Sequence, residues 1–319
     1  MPVKIVTSTQ PVEGPKFVNV FNQNGEVALG FKNDSNVTQT PDGTPLVSQD
    51  SGSHLDASLS LNLGFKKGRG INGLKFDFGL GKIDYLDSKF TNRQSENIIF
   101  GVSFQKKYAK GNKRITSTSK FQLRHDFLDA TQRRELGFRT ITLGQLSIFK
   151  PKTKIYGYDA IVPVLGIDFE YRDYTNSLAK GTNGGTRDTI TPQLLFLAIG
   201  VLKKGEINHK TTGMILLRDS YSNSEDQAYL DSRLSVQHTS RKGQYEVGPS
   251  LAYIRRDQSD YQGVSRKDVR WEVGLNGSAY LKNEKWIIKS ELKYADQKSD
   301  ITQFVYDNTS FLLSVKTKW

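Results

Sequence analysis

The chain has 319 residues, no cysteine, a formal net charge of +12 and a mean hydropathy of -0.52. The missing cysteines exclude disulfides, thiolate metal sites and cysteine nucleophiles together. No apolar run approaches the roughly eighteen residues of a membrane-crossing helix; the longest candidate lies around 194–202, so any spanning element has to be β. A low average does not speak against such strands, because a lipid-facing and a water-facing side cancel in any sliding window.

Residues 1–24 contain Pro2, Pro11 and Pro15 and lack clean alternation. They are expected to form a tail, a plug in a lumen or the linker to an upstream domain, ahead of a single β-domain over 25–319. Met1-Pro2-Val3-Lys4 shows no basic region followed by an apolar one. Either the chain starts natively here or Met1 stands in for an export signal, and the second is expected.

Period-two alternation then recurs along the chain. After a weaker strand near 26–32, Ala57, Leu59, Leu61, Leu63 and Phe65 oppose Asp56, Ser58, Ser60, Asn62 and Gly64. Leu74, Phe76, Phe78 and Leu80 follow, then Ile98, Phe100, Val102 and Phe104. In the next clear series Leu136, Phe138, Thr140 and Thr142 oppose Glu135, Gly137 and Arg139. Ile161 to Tyr171, Ala228 to Val236, Tyr245 to Tyr253, Val269 to Leu275 and Trp286 to Tyr294 continue the pattern at every second residue. The chain ends on Phe311, Leu313, Val315, Thr317 and Trp319, alternating with more polar neighbours. With weaker strands near 115–127, 190–202 and 211–221, about fourteen strands are expected.

The connections fall into two kinds. Short basic ones lie at 66–70, 106–114, 150–154, 203–206, 241–243 and 282–285, and polar, often longer ones at 33–53, 87–95, 128–132, 174–186, 222–226, 257–267 and 296–302. Short turns on one rim and longer loops on the other define an all-β, antiparallel, up-and-down transmembrane barrel with both termini on the short-turn side. The short connections plus Lys316 and Lys318 hold nineteen basic residues against Glu206 and Glu284. Either they form a basic periplasmic rim beside anionic lipid, or they are simply solvated turns.

With the apolar face outward, the inward face includes Lys120, Arg124, Arg133, Glu135, Arg139, Asp168, Glu170, Arg172, Arg218, Asp231, Arg233, Arg270, Glu272, Lys289 and Glu291. Unpaired charges of this kind cannot fill a dry core. They can line water, either as a charged constriction with weak anion preference or as cross-strand ion pairs that stiffen the wall. Trp271, Trp286, Trp319 and many tyrosines suit an interfacial aromatic girdle.

Catalysis finds little footing. His54, His125, His209 and His238 are the only histidines, and none has a two-histidine metal spacing. Membrane-embedded phospholipases place a histidine near the lipid face, but Phe127 stands where a serine nucleophile would follow His125-Asp126. No enzyme activity, metal or cofactor is expected. Basic residues confined to alternate turns, without interleaved aromatics on one face, also speak against nucleic-acid binding.

The terminal series Phe311, Leu313, Val315 and Trp319 resembles the closing strand of bacterial outer-membrane proteins, whose pattern ends on an aromatic residue. That resemblance implies an outer-membrane location, lipid as solvent and recognition by the barrel-assembly machinery. Asp34-Ser35-Asn36-Val37 resembles a strand-end sequence found in many outer-membrane barrels, including those fused to helical repeats such as the surface lipoprotein assembly modifiers, whose repeat region has no counterpart in this sequence. Size and strand number resemble the monomeric porins of the outer membrane protein G type. The first expectation is therefore a porin-like channel for small hydrophilic solutes. The alternative is the barrel of a secretion or assembly apparatus that exports or displays a lipoprotein or polysaccharide.

Overall fold

The computed structural model describes residues 22–35, 52–67, 72–86, 95–110, 113–129, 134–150, 158–175, 186–224, 228–261, 264–301 and 304–319. In chain order the strands are β1 (Asn22–Asp34), β2 (Gly52–Lys67), β3 (Asn72–Tyr85), β4 (Ser95–Lys110), β5 (Lys113–Asp129), β6 (Arg134–Lys150) and β7 (Ala160–Tyr174). They continue as β8 (Thr189–Lys204), β9 (Ile207–Ser222), β10 (Tyr229–Lys242), β11 (Tyr245–Tyr261), β12 (Val264–Leu281), β13 (Trp286–Ser299) and β14 (Tyr306–Lys318). Each pairs antiparallel with its chain neighbours, and β1 pairs with β14, so the sheet closes into a fourteen-stranded barrel. At 13 to 18 residues the strands exceed the roughly ten that a tilted strand needs to cross hydrocarbon.

Closure is made by the first and last strands. Gly25 and Trp319 exchange both backbone hydrogen bonds at 3.1 Å, and the Lys318 N–H donates to the Lys285 carbonyl at 2.9 Å. Both ends of the barrel wall therefore sit on one rim. The Trp319 indole packs directly on Gly25, where a Cβ would lie 2.1 Å from its ring. Glu26 and Lys316 form an ion pair across the same seam.

Outside and inside are inverted relative to a soluble domain. Leu29, Leu143, Phe169, Leu217, Leu251 and Leu313 are all exposed on the outer wall, while the buried side chains include Asp126, Asp231, Asp268, Glu272 and Gln297. A continuous exposed apolar wall of this size is rare on soluble monomers. In a membrane it is the surface that hydrocarbon covers, and closure leaves no strand edge unpaired there. Exposed aromatics stand near both rims: Tyr108, Phe149, Tyr245, Trp286 and Trp319 at the short-turn side, and Tyr171, Tyr221 and Tyr294 at the other. Trp271 stands level with Asp296, two residues nearer the long-loop rim than Tyr294, and packs on Tyr253 with ring centroids 4.8 Å apart.

Two turns are set by glycine. Gly205 (φ 60°) and Gly243 (φ 57°) each stand first in a two-residue connection, where the hairpin twist demands positive φ. The β12–β13 connection does the same with Lys282, Asn283 and Glu284 at φ 46°, 57° and 67°, and only asparagine tolerates that region easily. The loop expected over 257–267 is mostly strand, because β11 and β12 run on until only 262–263 separate them. Ion pairs Arg255–Asp257 at 3.1 Å and Arg266–Asp268 at 2.5 Å continue along that extension.

Two outcomes follow. Gly25→Leu should displace the Trp319 ring and destabilise the closed barrel by about 1–3 kcal/mol, the usual cost of overpacking, seen as a lower unfolding midpoint in a urea titration. Lys282→Gly should raise that midpoint, because relief of a left-handed lysine, worth about 1 kcal/mol, outweighs the added freedom of the unfolded chain.

Candidate functional site: the inward wall

Strand pairing places the inward residues in continuous rows. One row runs Lys75, Ser103, Lys120, Gly144, Asp168, Gln193, Arg218, Asp231, Arg256 and Asp268 across β3 to β12. Its neighbour on the same face runs Leu216, Arg233, Ile254, Arg270, Gln297 and Tyr306 across β9 to β14. Residues far apart in sequence thus meet because the register is fixed.

Most of the expected residues lie on this face and are tied to one another. Lys120 Nζ reaches Asp168 Oδ2 at 2.9 Å over Gly144, where a Cβ would stand 1.8 Å from Asp168 Oδ1. Arg124 forks onto Asp126 at 2.6–2.9 Å. Arg172 donates to Glu170 Oε1 and to the Tyr174 hydroxyl at 3.1 Å each, and lies 4.9 Å from the Phe138 ring centroid. Asp231 is held between Arg218, in direct contact, and Arg256 at 3.7 Å. Glu272 is held between Arg270, again in direct contact, and Arg233 at 3.2 Å. Lys289 and Glu291 also face inward, and neither has an ion-pair partner among the described residues. Arg133 and the side chain of Glu135 lie outside the described residues.

Arg139 does not line the lumen. It pairs with His125 and shares the outward phase of the exposed Leu143, while Phe138, Thr140 and Thr142 point inward beside Tyr174, Arg172 and Glu170. The expected phase of this strand was opposite. It was read from Leu136, but the ladder shifts by one residue between Asp126 and Phe127, opposite Phe138 and Leu136, and such a bulge reverses the face beyond it. His125 and Asp126 likewise fall on opposite faces. Asp126 belongs to the Arg124 pair and His125 to the outer wall, so they form no joint site.

One local pattern escaped the sequence reading. Lys32–Asp34, Lys75–Asp77, Lys82–Asp84, Arg124–Asp126, Arg255–Asp257 and Arg266–Asp268 are ion pairs between a base and an acid two residues on. Residues i and i+2 share a face of a strand, so basic-x-acidic within an alternating segment was the available signal. Arginines also stack on inward or loop aromatics: Arg256 on Tyr229 at 4.2 Å, Arg241 on Tyr280 at 4.0 Å and Arg266 on Phe304 at 3.2 Å.

Lengths of side chain decide what water meets. Asp231 is 1% exposed and Glu272 7%, whereas their partners Arg218 and Arg233 are 31% and 37% exposed. Short carboxylates stay at the wall and longer guanidinium groups reach past them into the lumen. From β9 to β12, Arg218, Arg233, Arg256 and Arg270 are 26–37% exposed beside Asp231 and Glu272, while Arg266 and Asp268 form a buried pair. Lys210, Lys289 and Lys293 add inward cations that have no carboxylate within ion-pair distance among the described residues. Among the described residues the inward face therefore carries more cations than carboxylates, and the cations are the more exposed of the two.

The closed antiparallel wall, its apolar exterior and its charged, polar interior define a membrane-spanning β-barrel of the kind found in bacterial outer membranes. No protein-family model and no curated protein matches the sequence. Among solved structures the chain is similar to OprB of Pseudomonas putida (TM-score 0.48, 7% identity, 94% of each chain covered). It is also similar to an anion-selective porin from Comamonas acidovorans (TM-score 0.44, 11% identity, 94% of this chain and 100% of that one). A third is the outer membrane protein opdK of Pseudomonas aeruginosa (TM-score 0.42, 11% identity, 93% and 99%). These likenesses concern the general course of a barrel and carry no solute or selectivity over to this chain.

The two carboxylate environments should respond differently. Asp231→Ala leaves two guanidinium groups facing each other at a buried position and should cost about 3 kcal/mol. Asp168→Ala removes one half of a part-exposed pair and should cost under about 1 kcal/mol. Urea unfolding of the two variants in the same lipid or detergent checks the ratio.

Proposed function

We propose that the chain is a passive channel that lets small hydrophilic solutes cross the outer membrane, with a weak preference for anions. The observation that carries this reading is the asymmetry of exposure inside the barrel, where guanidinium and ammonium groups project into the lumen and their carboxylate partners lie against the wall. A wall of this kind cannot be dry. The Nε atoms of Arg218, Arg233 and Arg270 and Oδ1 of Asp231 are buried against the wall without a hydrogen-bond partner, whereas the Arg218, Arg233 and Arg270 side chains as a whole stay part-exposed. Cations lining a narrow water-filled passage raise the local concentration of anions, and do so more strongly at low salt. The reading requires no catalytic group, metal or cofactor.

Planar-bilayer recording on refolded protein tests it. Steady conductance is expected, with a reversal potential in a potassium chloride gradient that shows chloride passing faster than potassium, and with the preference shrinking as salt rises. Arg233→Gln combined with Lys293→Gln should move the reversal potential toward cations. Absence of conductance at every voltage and pH would overturn the channel reading and leave export or display of a polymer as the reading to pursue.

A further inference from the structure

The outer wall carries a polar island that conduction does not use. Beside the β8–β9 and β10–β11 turns, the outward residues form successive cross-strand rows. Lys204, Ile207 and Lys242 come first, then Leu202, His209, Ser240 and Val247, then Gly200, Thr211 and His238, then Ala198, Gly213, Val236 and Leu251. In the middle rows the side chains form one hydrogen-bonded chain. Thr211 Oγ1 meets His238 Nδ1 at 2.9 Å, His238 Nε2 meets Ser240 Oγ at 3.2 Å, and Ser240 Oγ meets His209 Nδ1 at 2.9 Å. The two imidazoles stack with centroids 5.6 Å apart. His209 Nε2 is the end of the chain and has no hydrogen-bond partner among the described residues. Groups of this polarity on a hydrocarbon-facing wall are costly unless their remaining bonds are met.

The surroundings say what meets them. Toward the rim stand Lys204 and Lys242; among the described residues the latter has one ion-pair partner, Glu206 at 3.5 Å, with both side chains mostly exposed. Away from the rim the wall drops at Gly213, where a Cβ would meet nothing within 4 Å. A groove of about 430 Å³ then opens beside it across β10, β11 and β12, lined by Leu234, Val236, Leu251, Tyr253 and Trp271. Cations and hydrogen-bonding groups at headgroup depth lead directly into an apolar trough.

We propose that this strip holds an anionic phospholipid of the leaflet at the short-turn rim. Its phosphate would lie among Lys204, Lys242 and His209, and one acyl chain along the groove that ends at Trp271. The proposal rests on the outer wall facing lipid. It is independent of conduction through the lumen. A phosphate accepts from the lysines and from a histidine N–H, and the groove accounts for a lipid rather than a free anion.

Native mass spectrometry of the purified barrel, supplied with equal amounts of phosphatidylglycerol and phosphatidylcholine bearing the same chains, tests it. Preferential retention of phosphatidylglycerol is expected, with no competition from millimolar inorganic phosphate. K204Q/K242Q, which alters two exposed side chains at the turns, should lower that retention about fivefold per lysine, and H209L/H238L should lower it further. Equal retention of both lipids, or undiminished phosphatidylglycerol binding by K204Q/K242Q, overturns the site. A barrel that fails to enter bilayers overturns the lipid-facing reading itself, whereas one that inserts and shows no lipid preference overturns only this proposal.

Discussion

Every backbone N–H and C=O within hydrocarbon has to find its partner inside the protein, because lipid offers none and each unmet group costs several kcal/mol. For a chain without an apolar helix, closure of one sheet is the remaining solution. Here it is completed by β1 on β14, from Glu26 opposite Lys318 to Asp34 opposite Ser310. Everything else depends on that seam. Once it closes, the register of the other strands fixes which side chains share a row and which share a face.

The seam also sets the energetics of the side chains. A closed wall has two faces and no layer between them, so the apolar residues go to lipid and the polar ones are packed against each other inside. That explains why carboxylates such as Asp231 and Asp268 are more buried than Leu251 or Phe169. In a soluble domain such an arrangement would be unstable. Inside a barrel, an arginine on a nearby strand or two residues along the same strand supplies the counter-charge.

Much of the fold was legible because alternation has a strict period of two and the apolar residues are large. Strand number, the phase of β7 and of β10 to β14, and the common rim of the two termini all followed from it. The phase of β6 did not. Leu136 belongs to the far side of a bulge, and counting from it put Arg139 in the lumen when the exposed Leu143, counted from below the bulge, puts it outside. Extensions of strands beyond the membrane were also hidden. Residues 257–267 are polar enough to read as a loop, yet their base-acid pairs two residues apart suit a two-stranded ladder standing in water.

Pairing across strands was beyond the sequence altogether, since nothing in Arg233 names Glu272 as its partner two strands away. Yet the functional reading turns on a property that residue types do carry. An aspartate reaches one carbon beyond its Cβ, whereas an arginine carries its charge several bonds further. When both grow from the same wall, the guanidinium stands nearer the axis. A barrel lined with ion pairs of this kind presents more positive charge to whatever passes than its surplus of bases over acids alone would give. On the proposed channel reading, selectivity would follow from reach as well as from net charge, and the exposures of Arg218 over Asp231 and of Arg233 over Glu272 are that difference in reach made visible.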